Sequence, residues 1–129
     1  MAKKVLIVDD EANIVAALEY LLQRSGYEVR SAANGEDGLR EMERFAPDLV
    51  LLDVMMPQLS GFDVCQRIRE RPQWQGVKIV ILSAMGRDAD VSKGLSLGAD
   101  AYVTKPFSNA ELVARIDALL AGGGAPRTA

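Results

Sequence analysis

Along this chain, short apolar runs alternate with stretches in which apolar residues recur every three or four positions. Val5 to Val8 is an apolar run closed at once by Asp9, Asp10 and Glu11. From Ile14 the period changes: Ile14, Ala17, Leu18, Leu21 and Leu22 share one helical stripe, which stops at Gly26. Tyr27, Val29 and Ser31 then alternate with Glu28 and Arg30, the pattern of a strand with one wetter face or of an edge strand. Asn34 with Asp37 marks a helix start, and Gly38, Leu39 and Met42 carry that helix towards Pro47. Leu49 to Leu52 is a second wholly apolar run. It ends in a carboxylate, Asp53, with Pro57 four residues on. A capping residue, Ser60, precedes a helix bearing Phe62, Cys65 and Ile68, which closes at Arg71-Pro72. Val77 to Leu82 is the third buried strand, with Ser83 at its end. Asp88 to Leu97 predicts a weaker helix, because Gly94 lowers propensity inside it, and Gly98 stops it. Ala101 to Thr104 is a short strand leading into Lys105-Pro106. Ser108 to Glu111 spells a capping box, and Leu112, Ile116, Leu119 and Leu120 give the last helix its apolar face.

Strand then helix, repeated in this way, predicts an α/β fold: a parallel sheet with helices on both faces. The second strand has the clearest alternation and belongs at an edge, whereas the first and third belong inside. That arrangement suits the five-stranded order 2-1-3-4-5. Residues 1–121 are expected to form one domain. Residues 122–129, Gly-Gly-Gly-Ala-Pro-Arg-Thr-Ala, read as a flexible tail or the start of a linker.

Composition narrows the chemistry. The 129 residues suffice for one core, and 49% hydrophobic with 26% charged residues is ordinary for a globular domain. No apolar run is long enough for a signal peptide or membrane span. One cysteine, Cys65, precludes an internal disulfide and suits a reducing, cytoplasmic setting; its helical spacing with Phe62 and Ile68 points to packing. A net charge of −3 with scattered Lys and Arg gives no basic stripe, so direct nucleic-acid binding is not expected. Histidine is absent, which removes His nucleophiles, His bases and His-ligated metals together.

In an open parallel sheet, ligands bind beyond the carboxyl ends of the strands, at the switch point between the first and third. Asp9 and Asp10 follow the first strand, Asp53 the third, Ser83 the fourth and Lys105 the fifth. Singly, each is an ordinary polar residue at a strand end, and Asp53 should sit exposed at the strand mouth. Jointly, they form a site. Two unit charges 4 Å apart cost about 4 kcal/mol at an effective dielectric of 20, so clustered carboxylates shift their pKa values upward or recruit cations. An all-oxygen donor set suits Mg²⁺ or Mn²⁺. Beside a cation and Lys105, Asp53 is a candidate nucleophile towards phosphorus, and the Ser83 hydroxyl can donate to a phosphoryl oxygen.

With these residues in view, the sequence closely resembles the receiver (CheY-like) domain of bacterial two-component response regulators, a flavodoxin-like (βα)5 fold. The resemblance rests on Val-Leu-Ile-Val-Asp9-Asp10-Glu11, Leu-Leu-Asp53-Val-Met-Met-Pro57, Leu-Ser83-Ala and Leu-Gly98-Ala-Asp-Ala-Tyr102-Val-Thr-Lys105-Pro106-Phe107. It extends from about Lys3 to Leu120. It implies that Asp53 accepts phosphoryl from the phosphohistidine of a sensor histidine kinase or phosphotransfer protein, or from acetyl phosphate. It implies Mg²⁺ held by Asp10, Asp53 and the Met55 carbonyl, with Asp9 acting through water, and a cis Lys105-Pro106 bond. Ser83 and Tyr102 resemble the family's switch pair, which remodels the face of helix four, strand five and helix five for a partner or effector domain. A signalling phosphoacceptor is thus expected, a monomer or weak dimer, not an enzyme acting on an external substrate.

Two departures stand out. Ala101 occupies a position that is usually acidic in DNA-binding relatives, which bears on their dimer salt bridges. Met55 and Met85 occupy positions that flank the path of the hydrolytic water in the family, and two thioethers predict a long-lived phosphoryl group. Other readings of the same fold fit the residues less well. A pseudo-receiver typically lacks one of the acidic, Ser or Lys positions, all of which are present. A flavodoxin-like enzyme needs a glycine loop where Asp9-Asp10-Glu11 stands. An aspartate-nucleophile phosphatase typically carries a second Asp two residues on, where this chain has Met55.

Overall fold

The computed structural model describes residues 2–121, so the expectation for 122–129 lies outside the described residues. The elements run β1 (Lys4–Val8), α1 (Ala12–Arg24), β2 (Glu28–Ala32), α2 (Gly35–Phe45), β3 (Leu49–Leu52), α3 (Gly61–Glu70), β4 (Lys78–Ser83), α4 (Asp88–Ser96), β5 (Ala101–Thr104) and α5 (Asn109–Ala121). All sheet pairings are parallel, and the order is β2-β1-β3-β4-β5. This is the predicted topology, with the alternating strand at one edge and the wholly apolar strands inside.

Period-two side-chain alternation divides the core into two layers. Leu6, Val8, Val50, Leu52, Ile79 and Ile81 face one side and pack with Met42, Phe45, Phe62, Cys65 and Ile68 from α2 and α3. Val5, Ile7, Leu49, Leu51, Val80 and Leu82 face the other and pack with Leu18, Leu22, Leu112 and Ile116 from α1 and α5. Every residue of β3 is buried, as a strand covered on both faces requires. Cys65 is fully buried, with its Sγ 3.7 Å from the Leu97 carbonyl, in keeping with a packing role.

Local signals account for most boundaries. The Asn34 side chain accepts the Asp37 amide at 2.8 Å, and Ser60 with Asp63 forms a reciprocal capping box that starts α3. At Ser108 the box is half made: its hydroxyl accepts the Glu111 amide at 3.3 Å, and among the described residues the return bond does not form. The helix expected to reach Leu97 ends at Ser96, where Leu97 serves as its cap. Beyond α3 the chain adds a single 3-10 turn, Pro72–Trp74, which buries Trp74 under the α2–α3 layer.

Candidate functional site

Asp9, Asp53 and Lys105 each stand one step beyond a strand and are tied there by backbone, Ser83 is the last residue of β4, and Asp10 follows Asp9. The Asp53 amide donates to the Val8 carbonyl at 2.9 Å, the Asp9 amide to Ala32 at 3.1 Å, and the Lys105 amide to Ser83 at 2.8 Å. The parallel ladder therefore continues through the site, and β1, β3, β4 and β5 fix their polar residues in one register. The site inherits the rigidity of the sheet.

Asp9, Asp10 and Asp53 each offer a carboxylate oxygen within 4.8 Å of the others. Lys105 reaches over them: its Nζ lies 3.5 Å from Asp9 Oδ2, 3.6 Å from Asp53 Oδ1 and 3.8 Å from Glu11 Oε1. The other Asp9 oxygen accepts the Glu11 amide at 2.9 Å, so both of its oxygens are engaged by protein groups. Asp10 is exposed. The Lys105-Pro106 peptide is cis.

Asp53 corrects one expectation. It is 5% exposed, not an open residue at a strand mouth. The covering comes from Lys105, remote in sequence, and from the loop that directly follows Asp53. Lys105 closes one side, and the loop after β3 folds back with Val54 and Met56 buried and the Gly61 amide donating to the Val54 carbonyl. Glycine is required there. A Cβ on Gly61 would lie 2.2 Å from the Asp53 carbonyl oxygen and 2.8 Å from the Val54 Cα. Burial pushes the Asp53 carboxyl up to about 6, the nearby Asp9 charge adds to this and Asp10 contributes less, while Lys105 and the Met55 N–H oppose it. Burial is thus the main cause of the raised Asp53 pKa, and the neighbouring acids reinforce it.

Ser83 and Tyr102 meet through the backbone of one residue, Met85. The Met85 N–H donates to the Ser83 hydroxyl at 3.0 Å, and the Met85 carbonyl accepts the Tyr102 hydroxyl at 2.5 Å. Ser83 is fully buried and Tyr102 is 8% exposed, its ring turned inward under α4. Burial raises the Tyr102 hydroxyl above its usual pKa, and the Ser83 hydroxyl acts in the opposite sense. Met55 is 63% exposed, whereas Met85 packs partly against the core.

Three features escaped the sequence reading. The Met85 backbone, through its N–H and its carbonyl, joins the two switch candidates, for which no side-chain signal exists. Asp90 is a buried acid at the start of α4, although in sequence it resembles any first-turn carboxylate. Glu11 joins the Lys105 cluster; its position directly after Asp9-Asp10 was the available signal.

A donor set of three carboxylates, without histidine or thiolate, fits a hard divalent cation such as Mg²⁺. Three clustered carboxylates under a lysine have the charge balance to hold a divalent cation together with an anionic group.

Comparison with known proteins agrees with this geometry. Residues 5–117 match the family model described as the response regulator receiver domain. The chain is 48% identical over 120 residues to the alkaline phosphatase synthesis transcriptional regulatory protein PhoP of Bacillus subtilis, covering 93% of this chain and 49% of the relative. It is 39% identical over 120 residues to the phosphate regulon transcriptional regulatory protein PhoB of Rhizobium meliloti, covering 93% of this chain and 53% of the relative. The chain therefore spans about half the length of these curated relatives. Among solved structures it superimposes on the BeF3-activated receiver domain of DrrB, of Thermotoga maritima, with a TM-score of 0.85, 37% identity and coverage of 94% and 99% of the two chains. No helix among the described residues is long and apolar enough to cross a membrane.

Proposed function

The chain belongs to the response regulator receiver family, and on that premise we propose that it is a phosphoryl-accepting switch with Asp53 as the acceptor. The observation that carries this reading is the placement of Lys105 Nζ 3.6 Å from Asp53 Oδ1, within a cluster of three carboxylates at the carboxyl edge of the sheet.

Asp10, Asp53 and the Met55 carbonyl would hold Mg²⁺, with Asp9 acting through water; both Asp9 oxygens are already engaged, which favours an indirect part for it. When bound, the cation supplies neutralisation of the acceptor carboxylate and of the transferring oxygens. In the transfer, an Asp53 carboxylate oxygen forms the new O–P bond while the P–N bond of a phosphohistidine breaks. The electron pair of that bond goes to the imidazole nitrogen, which takes up a proton. Lys105 holds a phosphoryl oxygen. No protein base is needed, because the acceptor is ionised above a pKa of about 6.

Ser83 and Tyr102 read out the change. The Ser83 hydroxyl, whose oxygen accepts from the Met85 N–H, donates its own proton to a phosphoryl oxygen and is drawn towards Asp53. The inward Tyr102 ring is then favoured, and the face formed by α4, β5 and α5 adopts the shape a partner or effector domain recognises. The phosphoryl group shifts a balance between two arrangements. The donor is a sensor histidine kinase or phosphotransfer protein in the cytoplasm, and this domain itself contacts neither nucleic acid nor membrane.

Beryllium fluoride, a tetrahedral phosphoryl mimic, tests the reading. With Mg²⁺ it should shift the amide resonances of Ser83, Met85 and Tyr102 in the wild type and leave those of Asp53→Asn in place. Equal spectra for the two proteins would refute Asp53 as the acceptor.

A further inference from the structure

Gly94 lies in the interior of α4, where a glycine weakens a helix. Its position explains why it stands there. A Cβ at residue 94 would lie 2.9 Å from Tyr102 Cδ2 and 3.1 Å from Tyr102 Cε2, and also 2.9 Å from Ile81 Cδ1. The Ile81 atom is the far end of a flexible side chain and can rotate away. The Tyr102 atoms belong to a rigid ring whose hydroxyl is fixed by the Met85 carbonyl, so the ring cannot yield without leaving its place. Asp90, one turn earlier on α4, is buried on the same side, and its side chain is held by Arg87. The α4 backbone thus lies close against β5 and β4 where Tyr102 is turned inward.

We propose that Gly94 is a positioning residue for the Ser83–Tyr102 switch: the missing side chain at this point of α4 is the slot that receives the Tyr102 ring. The proposal rests on the reading of Ser83 and Tyr102 given above and adds the element that sets the balance between the ring's positions. With a methyl group in the slot, the ring turns outward, gives up its bond to the Met85 carbonyl, and leaves the inward arrangement sparsely populated.

A double-mutant cycle over the full chain, combined with tyrosine ring NMR, tests this. Gly94→Ala should lower Tm in the wild-type background, despite alanine's better helix propensity, and should raise Tm in a Tyr102→Ala background. In the single variant the Tyr102 ring resonances should move towards those of Tyr20, which is 63% exposed and serves as the internal reference. A Tm change of the same sign and size in both backgrounds would assign the crowding to Ile81 or the helix itself and overturn the proposal. An unmoved Tyr102 ring would overturn it too. These measurements need no phosphoryl group. If beryllium fluoride fails to shift Ser83 in the wild type, the reading of the site fails, while the cycle and the ring positions still decide whether Gly94 forms the slot. If it succeeds, Gly94→Ala should resist the accompanying inward movement of Tyr102.

Discussion

Lys105 Nζ stands 3.6 Å from Asp53 Oδ1, joining residues that follow β5 and β3 across the end of β4. The lysine is itself mostly buried, so its charge acts on Asp53 with limited screening by solvent. It lowers the carboxyl pKa against the burial and the Asp9 charge that raise it.

Lys105→Met should therefore raise the Asp53 pKa beyond its value of about 6, as followed by carboxyl-carbon NMR. Phosphoryl uptake from acetyl phosphate should fall by roughly a hundredfold or more, the scale of losing one preorganised charge-stabilising group. Uptake at the wild-type rate would remove Lys105 from the proposed mechanism.

Stability should carry the signature of Asp53. The folded carboxyl titrates at about 6 against 3.8 for the free group, so between those values the folded state binds more protons than the unfolded state. Stability of the metal-free protein thus falls as pH rises through this window, and the loss is complete above about pH 6. Asp53→Asn should be more stable than wild type by about 1–3 kcal/mol near neutral pH, with the advantage gone below a pH of about 4. Mg²⁺ should narrow the difference, because it binds the folded wild type selectively. Urea denaturation over a pH series checks the sign; a pH-independent difference would contradict it.

Gly61→Ala places a methyl group against the backbone of Asp53 and Val54, which has no flexible end to move. It should cost about 2–3 kcal/mol and weaken Mg²⁺ binding as α3 is pushed off the acceptor loop. A Tm scan and a Mg²⁺ titration read the two effects, and a variant as stable as wild type would show that the close approach is not required.

Remote from the site, Arg69 and Asp100 form a buried pair at 2.9 Å. The Arg69 guanidinium also donates to the Gly98 and Trp74 carbonyls, and Asp100 Oδ2 accepts the Ile79 amide. Asp100→Ala leaves a buried cation and an orphaned amide, so a loss of about 3–5 kcal/mol is expected in chemical denaturation. A loss below about 1 kcal/mol would mean that water replaces the pair.

The aspartyl phosphate should persist well beyond seconds in the purified protein, since the thioethers of Met55 and Met85 orient water poorly. Met55→Asn, at a residue 63% exposed, should shorten the lifetime. Time-resolved mass measurement decides; decay within seconds in the wild type would contradict the expectation.

The sheet was legible because β1, β3 and β4 are buried on both faces and so read as unbroken apolar runs, whereas β2 at the edge alternates. The polar residues at four strand ends were legible for the same reason, since strand ends are fixed once strands are found. The burial of Asp53 was not, because it depends on how the loop after β3 folds back at Gly61 and on Lys105 from beyond β5. Nor was the 3-10 turn that buries Trp74, since Pro72-Gln-Trp74 is too short to show a period. Gly94 was visible only as a weak point in a helix. Its contact with Tyr102 depends on how α4 lies against β5.

The most direct test of the central claim is the intact mass of wild type and Asp53→Asn after incubation with Mg²⁺ and a phosphoryl donor, with acetyl phosphate and a phosphorylated histidine kinase offered in parallel. The account predicts a gain of one phosphoryl group in the wild type only, abolished by EDTA. An unchanged wild-type mass with both donors, or an equal gain in Asp53→Asn, would contradict it.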